Sequence, residues 1–333
     1  MKKLFALLVL SLALVSCKGA GSTDSDKKDS DSKTQVASQE EAKDASEEAK
    51  DASKKTVTVT TSFIADMVNE LVGDKVNVEM IIPAGEDPHL YVAKPEDLTK
   101  LKSADLVLYH GLHFEGKMVE ALEAVGYPIT DNFAKDKIGK MEEDGVEQID
   151  PHFWFDISLY KQAFSNVSAK LQELLKDDSE TVAKIKENEK AYLAKLDDLD
   201  TYIKGRINEI NPESRYLITP HDAFNYFSRA YGMTVMAPQG VSTDSEVSNK
   251  DLEDTAKFIA DKKIKAIFAE STTNPERMEK LKEVVKSKGF DVKVVSGDGQ
   301  ELFSDSLAKK GEPCDNYIDM YKHNVDLMVD NLK

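Results

Sequence analysis

From Thr56 onward, short apolar runs alternate with segments whose apolar residues recur at helical spacing. Residues 57–64, 76–83 and 106–109 read as strands, with helices at 67–71 and 95–102 between them. A second series follows, with strands at 216–219, 234–237, 266–269 and 292–295 and helices at 223–231, 249–262 and 275–288. Such alternation predicts βα units: an α/β fold of two doubly wound lobes, each with a parallel sheet covered on both faces.

Between the two series the pattern contains no strand. Residues 159–175 read as one helix, and Ser179 is the expected N-cap of a longer one reaching residue 210. Its apolar positions Val182, Ile185, Tyr192, Leu193, Leu196, Leu199, Ile203, Ile207 and Ile210 keep the helical period. A helix of that length rises roughly 48 Å, enough to join two lobes rigidly and to limit their relative movement. The expected organisation is an N-terminal lobe at 56–178, a linker helix at 179–210 and a C-terminal lobe at 211–333.

The chain before residue 56 has a different character. Residues 1–16 carry Lys2 and Lys3 and then an apolar run too short to span a bilayer permanently, as in a signal peptide. The run ends Leu14-Val15-Ser16-Cys17, which resembles a bacterial lipobox and implies cleavage before Cys17 and diacylglyceryl modification of its thiol. Residues 18–55 contain no aromatic residue and repeat Glu-Glu-Ala-Lys-Asp-Ala-Ser at 40–46 and 47–53. So little apolar surface does not offset the entropy of ordering, so residues 17–55 are expected to be a lipidated cysteine followed by a flexible tether.

Charge narrows the partners. The net charge of −17 argues against nucleic acid. The tether is nearly balanced, with eight Lys against ten Asp and Glu, so the excess acid belongs to the folded part. Of the two cysteines, Cys17 belongs to the lipobox, which leaves Cys314 as a quiet buried thiol.

The candidate chemistry lies in three prolyl-histidine steps: Asp87-Pro88-His89, Asp150-Pro151-His152 and Thr219-Pro220-His221. With 6 His and 10 Pro in 333 residues, chance placement gives about 0.2 such steps. Proline fixes its own φ and extends the residue before it, so each imidazole stands on a stiff, non-helical turn. Neutral imidazole is the commonest protein ligand of zinc-like ions. His89 and His221 follow strands, where open α/β sheets bind ligands, which places the expected site in the cleft between the lobes.

These motifs resemble the metal-binding receptors of ABC importers, specifically the TroA-like group (cluster A-I, or cluster 9) that takes up zinc and manganese. Asp87-Pro88-His89 with Lys94-Pro95 and Asp97 is similar to the family's first ligand segment. The stretch from Tyr109 to Glu115 is similar to its Asn-Gly-Leu-x-x-Glu segment, with His110 where Asn is common. Asp150 to Asp156, His221 to Phe227 and Leu302 to Leu307 are similar to the second, third and fourth segments. The resemblance covers the chain from Thr56 to Lys333 and implies the ligand set His89, His152, His221 and Asp305. It also implies an ABC permease with its ATPase as partners, a membrane reached through the lipid, a monomer and an extracytoplasmic location. The long His-rich loop of some zinc-dedicated members is absent, since residues 114–150 contain no histidine.

Three imidazoles and one carboxylate suit Zn²⁺; a carboxylate binding through both oxygens would equally suit Mn²⁺ or Fe²⁺. Ligating imidazoles must be neutral, so affinity is expected to fall below about pH 6.5. Asp298, between two glycines, is the other candidate carboxylate, and Glu270 is a candidate outer partner or reserve ligand beside the simpler reading of a salt-bridged strand end. Asp156 and Asp222 are candidates for orienting imidazoles, with helix capping the competing explanation. His110 and His113 are read as wall or surface, His323 as structural, and Trp154 as packed wall.

Two rival functions share these residues. A zinc hydrolase needs an open coordination position and a base, and neither a His-Glu-x-x-His pair nor a nucleophile elbow occurs here. A metal-binding surface adhesin would use the tether and lipid equally well.

Overall fold

The computed structural model describes residues 51–333 apart from Asp144. The expected signal peptide, Cys17 and most of the expected tether therefore lie outside the described residues. The folded part begins earlier than the composition suggests: Asp51 donates its backbone N–H to the Asn77 side chain, and Lys55 pairs with Asp105.

The first series forms β1 (Thr56–Val59), α1 (Ser62–Val72), β2 (Asn77–Met80), α2 (Pro95–Ser103), β3 (Leu106–Tyr109), α3 (Val119–Val125) and β4 (Tyr127–Pro128). The strands make one parallel sheet in the order β2-β1-β3-β4. The apolar run at 57–64 is thus a strand followed by the start of a helix, with Thr61 as the cap between them. Alternation along β3 explains the layering. Leu108 enters the large core on one face, whereas Val107 and Tyr109 join Leu101 and Leu122 on the other.

A hairpin follows, formed by antiparallel β5 (Gly139–Glu143) and β6 (Val146–Asp150). Together with β4 it corrects the expectation of a strand-free middle. Its residues from 146 to 149 are all exposed, so the hairpin has no apolar face for a pattern to reveal; Asp-Gly at 144–145 is its one sequence signal.

Helices α4 (Ile157–Leu174) and α5 (Ser179–Ile207) come next. The second stops three residues short of the expected end, and its N-cap is Asp178 rather than Ser179. The Asp178 carboxylate accepts from the Thr181 N–H at 3.0 Å and the Thr181 hydroxyl at 2.7 Å. A carboxylate at that position also complements the helix dipole.

The second series comprises β7 (Tyr216–Ile218), α6 (Asn225–Tyr231), β8 (Thr234–Met236), α7 (Asn249–Lys262), β9 (Ala266–Phe268), α8 (Glu276–Ser287), β10 (Lys293–Val295) and α9 (Tyr317–Leu332). Its strands pair in parallel as β7–β8 and β9–β10. Leu252, Ala256, Ile259, Met278, Leu281 and Val285 of α7 and α8 cover one face. Leu217, Phe268 and Val295 point the other way into the large core.

That large core contains residues of both series. Helix α5 packs on α1, α4 and α9, and its Ile185, Tyr192, Leu196, Leu199, Ile203 and Ile207 are all buried in it. The helix is therefore not a bare strut between lobes. It is the shared floor of both, which stiffens the connection further than length alone would.

Candidate metal centre

The three prolyl turns and the loop after β10 bring His89, His152, His221 and Asp305 together, every one buried. One donor atom of each lies within 4.8 Å of the others. His152 Nε2 and His221 Nε2 are 3.4 Å apart. Asp305 Oδ1 is 3.3 Å from His152 Nε2, and its Oδ2 is 3.3 Å from His221 Nε2. Around a tetrahedral ion with bonds of about 2.1 Å, neighbouring ligand atoms stand about 3.4 Å apart, so these separations fit a small divalent cation. His89 Nε2 and both Asp305 oxygens are buried without a hydrogen-bond partner among the described residues. Three such atoms facing the same point are costly unless something charged lies among them.

The local sequence accounts for the presentation of each cluster residue. In the first two steps the aspartate accepts the histidine N–H across the proline, Asp87 Oδ1 from His89 and Asp150 Oδ1 from His152, each at 3.0 Å. In the third, the Thr219 hydroxyl donates to the His221 carbonyl at 2.9 Å, and His221 pairs with Gln239 in an isolated parallel bridge. Asp305 lies just beyond the bridge between Glu270 and Leu302. Gly116, at φ +48, backs directly on His89; a Cβ there would sit 2.7 Å from the His89 carbonyl oxygen.

Outer partners set the electrostatics. His152 Nδ1 lies 2.8 Å from Asp150 Oδ1, and His221 Nδ1 lies 2.5 Å from Glu270 Oε2. These contacts leave each Nε2 free to face the cluster. Burial opposes charge on His152, but its hydrogen bond to Asp150 and the nearby Asp305 carboxylate outweigh that and hold its pKa up at about 9. His221 is likewise raised, against burial, by the charges of Glu270 and Asp305. Asp305 is held well below the usual carboxylate range, again against burial, by His221 and His152. His89 has no such partner, and burial pushes it down to about 3.

The family described as zinc-uptake complex component A, periplasmic (ZnuA), matches residues 57–331. The chain belongs to this family. The zinc-binding protein TroA of Treponema pallidum is 37% identical over 278 residues, covering 83% of this chain and 88% of that protein. The manganese-binding lipoprotein MntA of Bacillus subtilis is 36% identical over 282 residues, covering 83% and 89%. A solved TroA structure, studied for its metal-binding specificity, is 59% identical with a TM-score of 0.82, covering 84% of this chain and 100% of that one. The TroA-like resemblance read from the motifs is thus borne out, as is the two-lobed α/β fold. The family is one of transporter binding components rather than enzymes.

The flanking candidates divide. Glu270, just beyond β9, is paired with His221, so the strand-end ion pair and the outer-partner reading describe the same contact. Asp156 touches no imidazole; it caps α4 by accepting from the Ser158 and Leu159 N–H groups, because the 3-10 turn at Phe153–Phe155 carries it away. Asp222 does not reach an imidazole either. Its N–H donates to the Gly240 carbonyl, and its Oδ1 has no hydrogen-bond partner among the described residues. Asp150 takes the place expected for these two. The sequence signal was present, since an Asp-Pro-His step lets one carboxylate serve both the backbone N–H and the ring of the same histidine. Asp298 sits exposed in a left-handed turn, away from the cluster.

The wall is aromatic. Trp154 is fully buried and donates its indole N–H to the Ser304 carbonyl, next to Asp305. His110 is also buried, 2.7 Å from the Thr61 hydroxyl, whereas His113 is exposed. His323, on α9, contacts the Glu301 carbonyl. Cys314 is buried and free, its thiol pushed up to about 11 by burial. No described helix is long and apolar enough to cross a membrane.

Proposed function

We propose that this protein is an extracytoplasmic receptor that captures Zn²⁺ as cargo through His89, His152, His221 and Asp305 and delivers it to the permease of an ABC importer. The observation that carries this reading is the buried three-imidazole, one-carboxylate cluster, with spacings of 3.3–3.4 Å suited to a tetrahedral ion. Such a donor set favours zinc over manganese by intrinsic affinity. Capture by a closed four-ligand shell also leaves no open position for a reacting water, which fits binding without turnover. Cys17 would carry the lipid that keeps the receptor at the membrane, on a tether that precedes the folded part, and the receptor would act as a monomer beside the permease and its ATPase.

Manganese is the second reading, and one observation favours it. The two Asp305 oxygens approach different imidazoles, so both face the cluster and are available for five contacts. The relatives named above include both a zinc-binding and a manganese-binding protein.

Elemental analysis of protein purified without added metal, followed by competition between Zn²⁺ and Mn²⁺, separates the two. His152→Ala should cut zinc affinity by more than the about 10–100-fold that losing an outer partner costs. Unchanged affinity in that variant would overturn the ligand assignment.

A further inference from the structure

Asp87 reaches across the cleft. While its Oδ1 accepts the His89 N–H, its Oδ2 accepts the hydroxyl of Thr243 at 2.6 Å, from a residue 156 positions away in the second series. Thr243 is buried and sits in the loop between β8 and α7, whose Val241, Ser242 and Asp244 line one side of a cavity of about 210 Å³. His89 and Pro151 lie on the other side. Of the cluster residues, only His89 lines this cavity.

The far end of the contact is anchored as well. Gln239 donates its side-chain amide to the carbonyls of Thr243, at 2.8 Å, and Ser245, at 2.6 Å, and its Oε1 accepts from Arg277 at 2.5 Å. The backbone of the same Gln239 pairs with His221. One continuous path thus runs from His89 through Asp87, Thr243 and Gln239 to His221, joining ligands of opposite lobes without passing through the ion.

We propose that Asp87 and Thr243 form a clasp that holds the cleft shut over the captured cation and sets the rate of its release, Asp87 serving also as the positioning residue of His89. This rests on the receptor reading above. Because the carboxylate that shapes the His89 turn also holds Thr243 of the second series, seating His89 on an ion stabilises the clasp, and opening the clasp loosens His89.

The test is the dissociation rate of Zn²⁺ from the full-length protein into excess chelator, compared with the association rate. Thr243→Val removes the hydroxyl and keeps the shape. It should speed dissociation about 10-fold or more, the cost of a hydrogen bond to a charged group, and leave association little changed. Thr243→Ser should restore the slow rate. Asp87→Asn added to Thr243→Val should change release little beyond Thr243→Val alone, because the bond to residue 243 is already gone. A residue that merely supports its loop would instead lower the melting temperature of metal-free protein without changing release. Wild-type release rates in Thr243→Val, or effects that multiply in the double variant, would overturn the clasp and leave the receptor reading standing. Absence of His152-dependent zinc binding in the wild type would overturn both.

Discussion

His221 and Glu270 meet through a contact of 2.5 Å between Nδ1 and Oε2, with both side chains wholly shielded from solvent. A buried carboxylate so placed fixes which ring nitrogen carries the proton and turns the other toward the cluster. Glu270→Ala should therefore weaken zinc binding by about 10–100-fold without removing any ligand. Glu270→Gln retains an acceptor and should fall between. Competitive titration measures both, and an alanine variant with wild-type affinity would sink the role.

The same carboxylates make binding a proton exchange. His152 keeps its proton up to about pH 9 in the metal-free protein, and His221 is also raised. A protonated imidazole does not ligate, so the ion must displace these protons at every pH below that value. Affinity should consequently keep climbing with pH up to about pH 9, well past the free-histidine pKa. Calorimetry in buffers of different ionisation enthalpy should record protons released at neutral pH. A pH-independent affinity over that range would contradict the linkage.

Leu196 lies fully buried on α5, in the core to which both lobes contribute. Leu196→Ala should lower stability by about 2–5 kcal/mol through lost burial and the cavity left behind. Because α1, α4 and α9 all pack on this helix, denaturation should remain a single transition. Two separated transitions would show that the lobes unfold independently.

Cys17 lies outside the described residues, and its role is tested in cells. Two acyl chains hold a protein at a membrane where one is marginal. Cys17→Ser should move the protein into the soluble fraction, and continued sedimentation with membranes would count against lipidation.

The βα alternation was legible because fully buried strands and amphipathic helices carry their own periods; the helix at 249–262 coincides with its expectation. The hairpin of β5 and β6 was not, since its charged strands bury no continuous face, yet it delivers Asp150 to His152. The outer partners show a similar division. Asp156 and Asp222 stand next to ligand motifs in sequence, but a 3-10 turn and a backbone contact direct them elsewhere.

The sequence by itself placed His89, His152 and His221 on stiff prolyl turns, and local dihedral limits suffice for that. Only the tertiary structure decided that Glu270 attends His221, that α5 is core to both lobes, and that Asp87 clasps Thr243. Those relationships join residues 49 and 156 positions apart, as in His221–Glu270 and Asp87–Thr243. Separations of that kind leave no period or local propensity to read, because close packing of the folded chain alone creates the contact.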